Sequence, residues 1–303
     1  MQDDRAPADT AACLAIDDLL HWREPSGQEF PVWGPPGQGF PWRLLDLRSE
    51  QEFAARRLPS TVCIPEAELE ARSYELPPKW RPLILMAEDP SIALRQAARL
   101  RERGWEQARA LGEPISHWPG PWRAGTTRRV LWEPAAAVQR WEARMPSGAV
   151  LDLGCGAGRD AVFLAQRGHP VTAIDRLPDA LAMARALAAR HRVTINTMCA
   201  DLRHTIPPAA AGGYAAILMI RCLVRQLFDW IPGALRPGGL LILEAYRTDS
   251  RTTSKATGSR ARLTSQEALR AFQPHLTILD HAETFDRAGD PIVRLIATAL
   301  DER

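Results

Sequence analysis

The chain has 303 residues, enough for two domains of ordinary size, and its 46% hydrophobic and 24% charged residues exclude a wholly disordered or collagen-like chain. The 38 basic residues nearly balance the 36 acidic ones, so the formal net charge of +2 favours neither nucleic acid nor a membrane surface as a partner. Because the sequence shows no bilayer-spanning apolar run, no signal peptide, no CxxC pair and no ligand-spaced histidine cluster, we expect a reduced, cytoplasmic protein without a membrane segment or a metal site.

Four features of the first half occur in a distinctive order. They are LLDLR (44–48), VCIP (62–65), LGEPI (111–115) and Trp118. In this order they resemble the opening and closing motifs of rhodanese-like domains. The resemblance implies a central strand over residues 81–86 and a following helix over 92–103 that ends at Gly104. We expect the proline-rich residues 1–41 to wrap around this domain with little regular structure.

The loop expected to be catalytic in such a domain lacks its nucleophile. Rhodaneses carry a persulfide on a cysteine at the start of the loop between the central strand and the helix, where backbone N–H groups converge on the sulfur. The matching loop is MAEDPS (86–91), and the nucleophile position falls on Ala87. Alanine cannot hold a persulfide, and Glu88 and Asp89 repel anions. We therefore expect residues 1–120 to form a rhodanese-like α/β domain without sulfurtransferase activity, which binds a protein partner, shapes the substrate entrance or self-associates.

A boundary between two domains is predicted in the middle of the chain. Residues 119–121 (PGP) fit neither a helix nor a central strand, and tryptophans lie on both sides of them. We place a linker over residues 121–128 and a second domain over residues 129–303.

The second half alternates strand and helix signals, which is typical of parallel βαβ units. Strands are predicted over 150–153, 171–174, 193–198, 215–220, 240–243, 276–283 and 292–300, and helices over 159–167, 178–190, 227–235 and 266–272. Residues 285–290 are predicted to form a hairpin loop between the last two strands. Residues 247–262 carry several cations and breakers, and we expect a solvated lid there.

The turn GCGAG (154–158) between a strand and a helix indicates a ligand site, because bare backbone lies beside a helix N-terminus. Asp175 ends the next strand 21 residues after Gly154, a spacing that fits a carboxylate bound to a ribose diol. A dinucleotide fingerprint requires G-x-G-x-x-G, and Arg159 stands where its third glycine belongs. Asp152 suits an ammonium group and would repel a pyrophosphate. The pattern therefore favours S-adenosylmethionine over a nicotinamide cofactor.

VLDLGCGAGRD (150–160), followed by VTAIDR, CADL and LRPGGLLIL, resembles the motifs of class I S-adenosylmethionine-dependent methyltransferases. Within that class the chain is most similar to the tellurite-resistance-like, small-molecule branch. The resemblance implies a Rossmann-like, seven-stranded sheet in the order 3-2-1-4-5-7-6, with the seventh strand antiparallel. It also implies that Asp175 binds the ribose and that Asp201, with Leu202 beside it, contacts the adenine amino group. The expected cofactor-binding residues are Asp152, Gly154, Cys155, Gly156, Gly158, Arg159, Asp175, Arg176, Asp201, Leu202 and Ile220.

The loop after strand four faces the transferred methyl group in this family, and here it is MIRCLVR (219–225). It lacks the Asn-Pro-Pro-Tyr or Asp-Pro-Pro-Tyr signature of adenine and glutamine-amide N-methyltransferases, which counts against those substrates. Arg221 and Arg225 are candidates for binding an anionic acceptor, the alternative being that they decorate a solvated helix. Tyr246, just after strand five, either lines the pocket or packs in the core. Arg221 and Tyr246 are thus the candidate catalytic residues, and no general base is evident.

Three functions remain open on these observations. The first is a methyltransferase that moves a methyl group from S-adenosylmethionine to a small-molecule acceptor by in-line displacement. The second is a regulatory or interaction protein that binds S-adenosylmethionine without turnover. The third is a nicotinamide oxidoreductase, which Arg159 and the early third glycine disfavour. The sequence does not identify the acceptor.

Overall fold

The computed structural model describes residues 13–20, 42–248, 262–286 and 289–300. The chain divides into two compact units, Met1–Glu133 and Pro134–Arg303. Most of the proline-rich stretch 1–41 and of the predicted lid 247–262 lies outside the described residues. Within the described residues, no helix is long and apolar enough to cross a bilayer.

The first unit is built on one parallel sheet. Its strands are β1 (Cys13–Leu14), β2 (Arg43–Asp46), β3 (Thr61–Cys63), β4 (Leu83–Met86) and β5 (Ala108–Leu111), and its helices are α1 (Ile16–Leu20), α2 (Glu50–Ala55) and α3 (Pro90–Glu102). The strands pair in the order β1-β5-β4-β2-β3, and all the pairs are parallel. The strand predicted over residues 81–86 is the central one, and every residue of β4 is buried, as expected where a parallel sheet is covered on both faces.

Residues 13–20 form regular structure within the stretch 1–41, which was expected to have little of it. β1 extends the sheet by pairing with β5, and Gly112 donates a backbone hydrogen bond of 2.9 Å to the carbonyl of Leu14. Ile16 and Leu19 of α1 are both buried in a cluster around Trp118. Two apolar side chains three positions apart lie on one face of a helix, so even this short helix packs against the core.

The predicted linker 121–128 belongs to the first unit. Arg57 and Arg123 exchange backbone hydrogen bonds of 2.8 and 2.9 Å, and the Arg57 side chain donates to the carbonyl of Gly125 at 2.8 Å. Glu133 accepts hydrogen bonds from two arginine side chains of the same unit. These backbone and ionic contacts, which the proline pattern does not reveal, move the division of the chain to a point after Glu133.

The second unit contains a larger sheet with helices in its connections. Its strands are β6 (Val150–Leu153), β7 (Val171–Asp175), β8 (Asn196–Cys199), β9 (Tyr214–Ile220), β10 (Leu235–Tyr246), β11 (Thr277–Phe285) and β12 (Pro291–Thr298), and its helices are α4 (Ala136–Trp141), α5 (Arg159–Ala165), α6 (Pro178–Arg190), α7 (Ile231–Ala234) and α8 (Glu267–Phe272). The strand order is β11-β12-β10-β9-β6-β7-β8, and β12 runs antiparallel to β10 and β11. Numbered from β6, this is the predicted Rossmann-like order 3-2-1-4-5-7-6, which is therefore confirmed.

One predicted helix of this unit is shorter than expected. Residues 227–235 were expected to be helical with a break at Pro232, and the structure has a 3₁₀ turn over Arg225–Leu227 and the single turn of α7. Pro232 and Gly233 both disfavour a helix interior, so the segment does not extend beyond one turn.

The parallel strands bring the candidate residues to one edge of the sheet. Asp152 of β6 is opposite Leu218 of β9, and Ile220 of β9 is opposite Glu244 of β10. The carboxyl ends of β6, β7, β9 and β10 therefore meet at the same edge, where open α/β sheets bind their ligands.

Candidate functional site

The glycine turn adopts a backbone conformation that side-chain-bearing residues rarely adopt. Gly154, Gly156 and Gly158 have φ angles of +71°, +52° and +76°. A Cβ atom on Gly154 would lie 2.3 Å from Sγ of Cys222, and one on Gly158 would lie 2.6 Å from Cβ of Ala184. At Gly156, in contrast, no described atom lies within 4 Å of such a Cβ. Two glycines are thus needed for packing, whereas Gly156 leaves bare backbone facing open space.

Asp152 is a buried carboxyl with one oxygen unmatched. The side chain is 2% exposed, and its carboxyl accepts a hydrogen bond from the Ala161 N–H. Among the described residues, Oδ2 has no hydrogen-bond partner. Burial, followed by the charge of Asp160, raises the pKa of Asp152 well above its usual range. A buried acceptor without a donor is costly, so a cationic donor at this oxygen would be bound strongly.

Asp175 supports the glycine turn from the end of β7. Its Oδ2 accepts the N–H of Gly156 at 2.9 Å, and its Oδ1 accepts the N–H of Leu177 at 3.0 Å. Each carboxylate oxygen has a second lone pair, so these bonds leave capacity for a further donor such as a hydroxyl. The carboxylate is half-buried directly beside the open backbone of Gly156.

Two cysteines lie at the turn as neutral thiols. Burial and the nearby charge of Asp152 raise the pKa of Cys155 far above its usual value. Burial and the charge of Asp175 raise the pKa of Cys222 to about 11. Neither thiol is activated as a nucleophile, because a reactive cysteine has a lowered pKa. Cys222 instead packs against Gly154.

Asp160 is a residue of this site to which the sequence analysis gave no role. It is the second residue of α5, and its Oδ1 accepts the backbone N–H of Ala135 at 2.7 Å. Burial, with a smaller contribution from Glu244, raises the pKa of the Asp160 carboxyl to about 6, against the opposing effects of the Ala135 hydrogen bond and of Arg159. The available signal was its position within GRD (158–160), at the end of the motif already quoted.

The two residues predicted at the adenine differ in accessibility. The Asp201 carboxylate forms an ion pair with Arg203 and accepts that residue's backbone N–H at 3.0 Å. This pairing lowers the pKa of Asp201. Leu202 is buried in the main apolar cluster of the unit with Ile174 and Met219. The structure thus places Leu202 beneath this edge as a packing residue, while Asp201 lies on its surface.

Arg221 does not have the surroundings expected of an anion-binding arginine. Its Nε donates to Glu244 at 2.9 Å and its Nη1 donates to Asp286 at 3.0 Å. Its guanidinium also lies 4.6 Å from the ring centroid of Tyr246, and Arg262 lies 5.6 Å from the same ring. The two carboxylates therefore neutralise Arg221, while Arg262 brings a second positive charge to the same ring. Neither carboxylate partner was predicted, because both lie far from Arg221 in the chain, Asp286 by 65 positions.

The remaining predicted residues fall into two groups. Arg225 is paired with Glu267 and also donates to the carbonyl of Arg262, so it is not a free cation either. Arg176 is exposed beside Asp175, and Ile220 is half-buried at the end of β9. In the described part of the chain, no group of three or more His, Cys, Asp or Glu residues is placed to hold a metal ion.

The edge of the sheet fits an amino-acid-bearing nucleoside better than a dinucleotide. The unmatched Oδ2 of Asp152 suits an ammonium group, and the open backbone at Gly156 lies beside the carboxylate of Asp175. A pyrophosphate at the same turn would meet the charges of Asp152, Asp160 and Asp175.

Comparison with known proteins gives a consistent result for the second unit. Residues 150–239 match a family model described as a methyltransferase domain. An uncharacterized methyltransferase, YodH, of Bacillus subtilis is 30% identical over 110 residues, which are 35% of this chain and 46% of the relative. A putative methyltransferase of Geobacillus is 30% identical over 117 residues, which are 35% of this chain and 45% of the relative. The chain thus covers less than half the length of these curated relatives.

Among solved structures, TehB from Haemophilus influenzae is similar to this chain with a TM-score of 0.46 and 19% sequence identity. The match covers 54% of this chain and 61% of TehB. The glycine turn, its acids and the matched family model all lie in the second unit. Residues 150–239 are therefore similar to a methyltransferase domain.

Proposed function

We propose that the second unit transfers a methyl group from S-adenosylmethionine to a small-molecule acceptor by in-line displacement. The observation that carries this proposal is the unmatched, buried Oδ2 of Asp152 next to the open backbone of Gly156. An ammonium group binds an anion best away from water, and a nucleoside needs bare backbone to lie against. Both requirements are met at the ligand-binding edge of the sheet.

Each residue at this edge has a defined task in the proposal. Asp152 accepts the ammonium of the methionine moiety, Gly156 lies against the nucleoside, and Asp175 binds the ribose diol while holding the turn. Asp201 contacts the adenine amino group and shares its charge with Arg203. When bound, S-adenosylmethionine supplies an electrophilic methyl group, so the chain's residues mainly orient the reactants and exclude water.

The pairing of Arg221 with two carboxylates argues against a role for this arginine in capturing an anionic acceptor. Glu244 and Asp286 both form ion pairs with Arg221, and Arg225 is paired with Glu267. Tyr246, whose ring centroid lies 4.6 Å from the Arg221 guanidinium, lines the acceptor side in this proposal. Arg221 is then a residue that shapes the acceptor side rather than one that captures an anion.

Calorimetric titration of the full chain with S-adenosylhomocysteine and with NAD tests the cofactor. We expect S-adenosylhomocysteine to bind, NAD not to bind, and Asp175→Ala to weaken the first by about tenfold or more through loss of the ribose contacts. Undiminished binding to Asp175→Ala would contradict the ribose assignment. Turnover is then measured as S-adenosylhomocysteine released with panels of amines, thiols and hydroxyl compounds. Binding without release for any panel would favour the alternative, a cofactor-binding protein without turnover.

We further propose that the first unit is a rhodanese-like domain that acts by interaction rather than by sulfur transfer. Ala87 is buried at the end of β4, and its carbonyl accepts the N–H of Ile115 at 3.0 Å. Asp89 uses its own carboxylate to cap the first turn of α3 at Ser91. The loop therefore offers an acidic cap where a persulfide site needs free N–H groups. Persulfide formation in this unit after incubation with thiosulfate would contradict the proposal.

A further inference from the structure

We propose that Asp152 and Asp160 receive the ammonium of the cofactor together, as a carboxylate pair, and that Asp160 also holds the chain ahead of α4 in place. This inference rests on the proposed function and deepens it, because it assigns Asp160 to the same site. Asp160 is thus a binding and positioning residue that the glycine motif alone does not identify.

The two carboxyl groups share the first turn of α5. Asp152 reaches this turn from β6 and accepts the N–H of Ala161, the residue next to Asp160. That hydrogen bond leaves Oδ2 of Asp152 without a described donor. The charge of Asp160 acts directly on Asp152, which places the two carboxyl groups within electrostatic reach of each other. A single cation between them would satisfy the unmatched oxygen and relieve the repulsion.

Acids prevail among the surroundings of this pair. The ionisable groups that face it are Arg159 of α5, Glu244 of β10, Asp175 of β7, Cys155 of the turn and Cys222 after β9. Arg159 is the one cation in this described set, and both thiols are neutral at physiological pH. Burial raises the pKa of Asp160 to about 6 and that of Asp152 well above its usual range. A bound ammonium would favour the ionised form of the pair, so its binding should release protons near pH 6.

The positioning role of Asp160 follows from its second contact. Its Oδ1 accepts the N–H of Ala135, which directly precedes α4. Ala135 has no side chain able to cap this helix, and the first N–H groups of a helix need acceptors. Asp160 thus joins the segment that begins the second unit to the helix that follows the glycine turn.

The test uses two ligands that differ in the amino-acid part alone. S-adenosylhomocysteine carries the ammonium, whereas 5′-methylthioadenosine keeps the nucleoside and the sulfur without it. Both are titrated calorimetrically between pH 5.5 and 7.5 against the full-length parent, Asp160→Asn and the control Asp179→Asn. Asp179 is also an acid at the second position of a helix, α6, but its side chain is exposed. Titration in two buffers of different ionisation enthalpy measures the protons released.

In the parent, we expect S-adenosylhomocysteine to bind more tightly as the pH rises through about 6, with proton release, while methylthioadenosine shows neither effect. Asp160→Asn should weaken S-adenosylhomocysteine about tenfold at pH 7 and flatten its pH profile, with little change for methylthioadenosine. The control should match the parent. Equal weakening of both ligands in Asp160→Asn, or an unchanged pH profile, would overturn the inference.

Failure of the inference and failure of the proposed function give different results. If neither ligand binds the parent, the cofactor site itself is wrong. If both ligands bind but the affinity for S-adenosylhomocysteine does not depend on pH, only the assignment of Asp152 and Asp160 as a carboxylate pair is wrong. The positioning role is tested by Asp160→Ala, which loses the acceptor that Asp160→Asn retains. The Ala135 amide should exchange with deuterium faster in Asp160→Ala than in Asp160→Asn, and equal exchange rates would contradict that role.

Discussion

Gly158 separates the packing function of the glycine turn from its binding function. In Gly158→Ala, the new Cβ would lie 2.6 Å from Cβ and 3.0 Å from Cα of Ala184 in α6. The φ angle of +76° adds roughly 1 kcal/mol for a residue with a side chain, and overpacking of two helices adds about 1–3 kcal/mol. We therefore expect Gly158→Ala to lower the free energy of unfolding by about 2–4 kcal/mol.

Urea denaturation of the full chain, followed by the fluorescence of its tryptophans, measures this loss. Gly168→Ala is the matched control, because its φ angle of +88° is equally unfavourable while no described atom lies within 4 Å of the added Cβ. The control should lose about 1 kcal/mol from backbone strain alone. If Gly158→Ala were no less stable than Gly168→Ala, the close approach of α5 and α6 would not limit the residue at this position, and the packing argument would be refuted.

Three further outcomes are expected. Gly156→Ala should lose about 1 kcal/mol of stability from its positive φ angle alone, like Gly168→Ala, because its Cβ meets no described atom. It should bind S-adenosylhomocysteine about tenfold or more weakly in calorimetric titration, since that space faces the ligand. Without cofactor, the pKa of Asp160 is raised to about 6, so the folded state binds more protons than the unfolded state between pH 4 and 6. Thermal stability should therefore fall as the pH rises through this window. Asp160→Asn should have a higher melting temperature than the parent at pH 7.5. A thiol reagent at pH 8 should label exposed Cys199 well before Cys63, whose pKa burial raises to about 12. Mass spectrometry of peptides measures the order of labelling, and earlier labelling of Cys63 would contradict this prediction.

Local patterns predicted the strand–turn–helix elements of the second unit and the sheet order that its resemblance implied. The glycine motif, Asp152 and Asp175 lie within one contiguous βαβ stretch, so their proximity follows from the chain itself. The hairpin of β11 and β12 is also local and was predicted close to its observed bounds. The surroundings of Arg221 were not predictable in this way, since one of its two carboxylate partners comes from that hairpin.

Long-range contacts also explain the errors in the first unit. β1 is two residues long and pairs with β5 nearly a hundred positions away, so no periodic signal identifies it. The proline-rich stretch after Trp118 looked like a linker because proline interrupts regular elements. Proline does not prevent pairing by neighbouring residues, and the backbone bonds of Arg123 tie this stretch to Arg57.

The sequence by itself determined the class of the second unit, the position of its glycine turn and the acids at the ends of its first two strands, because spacing within one βαβ stretch fixes these features. The tertiary structure decided the ion pairs of Arg221 and the contacts of Asp160. Both depend on which side chains meet across elements, and burial changes the ionisation of those side chains in ways that residue identity does not record.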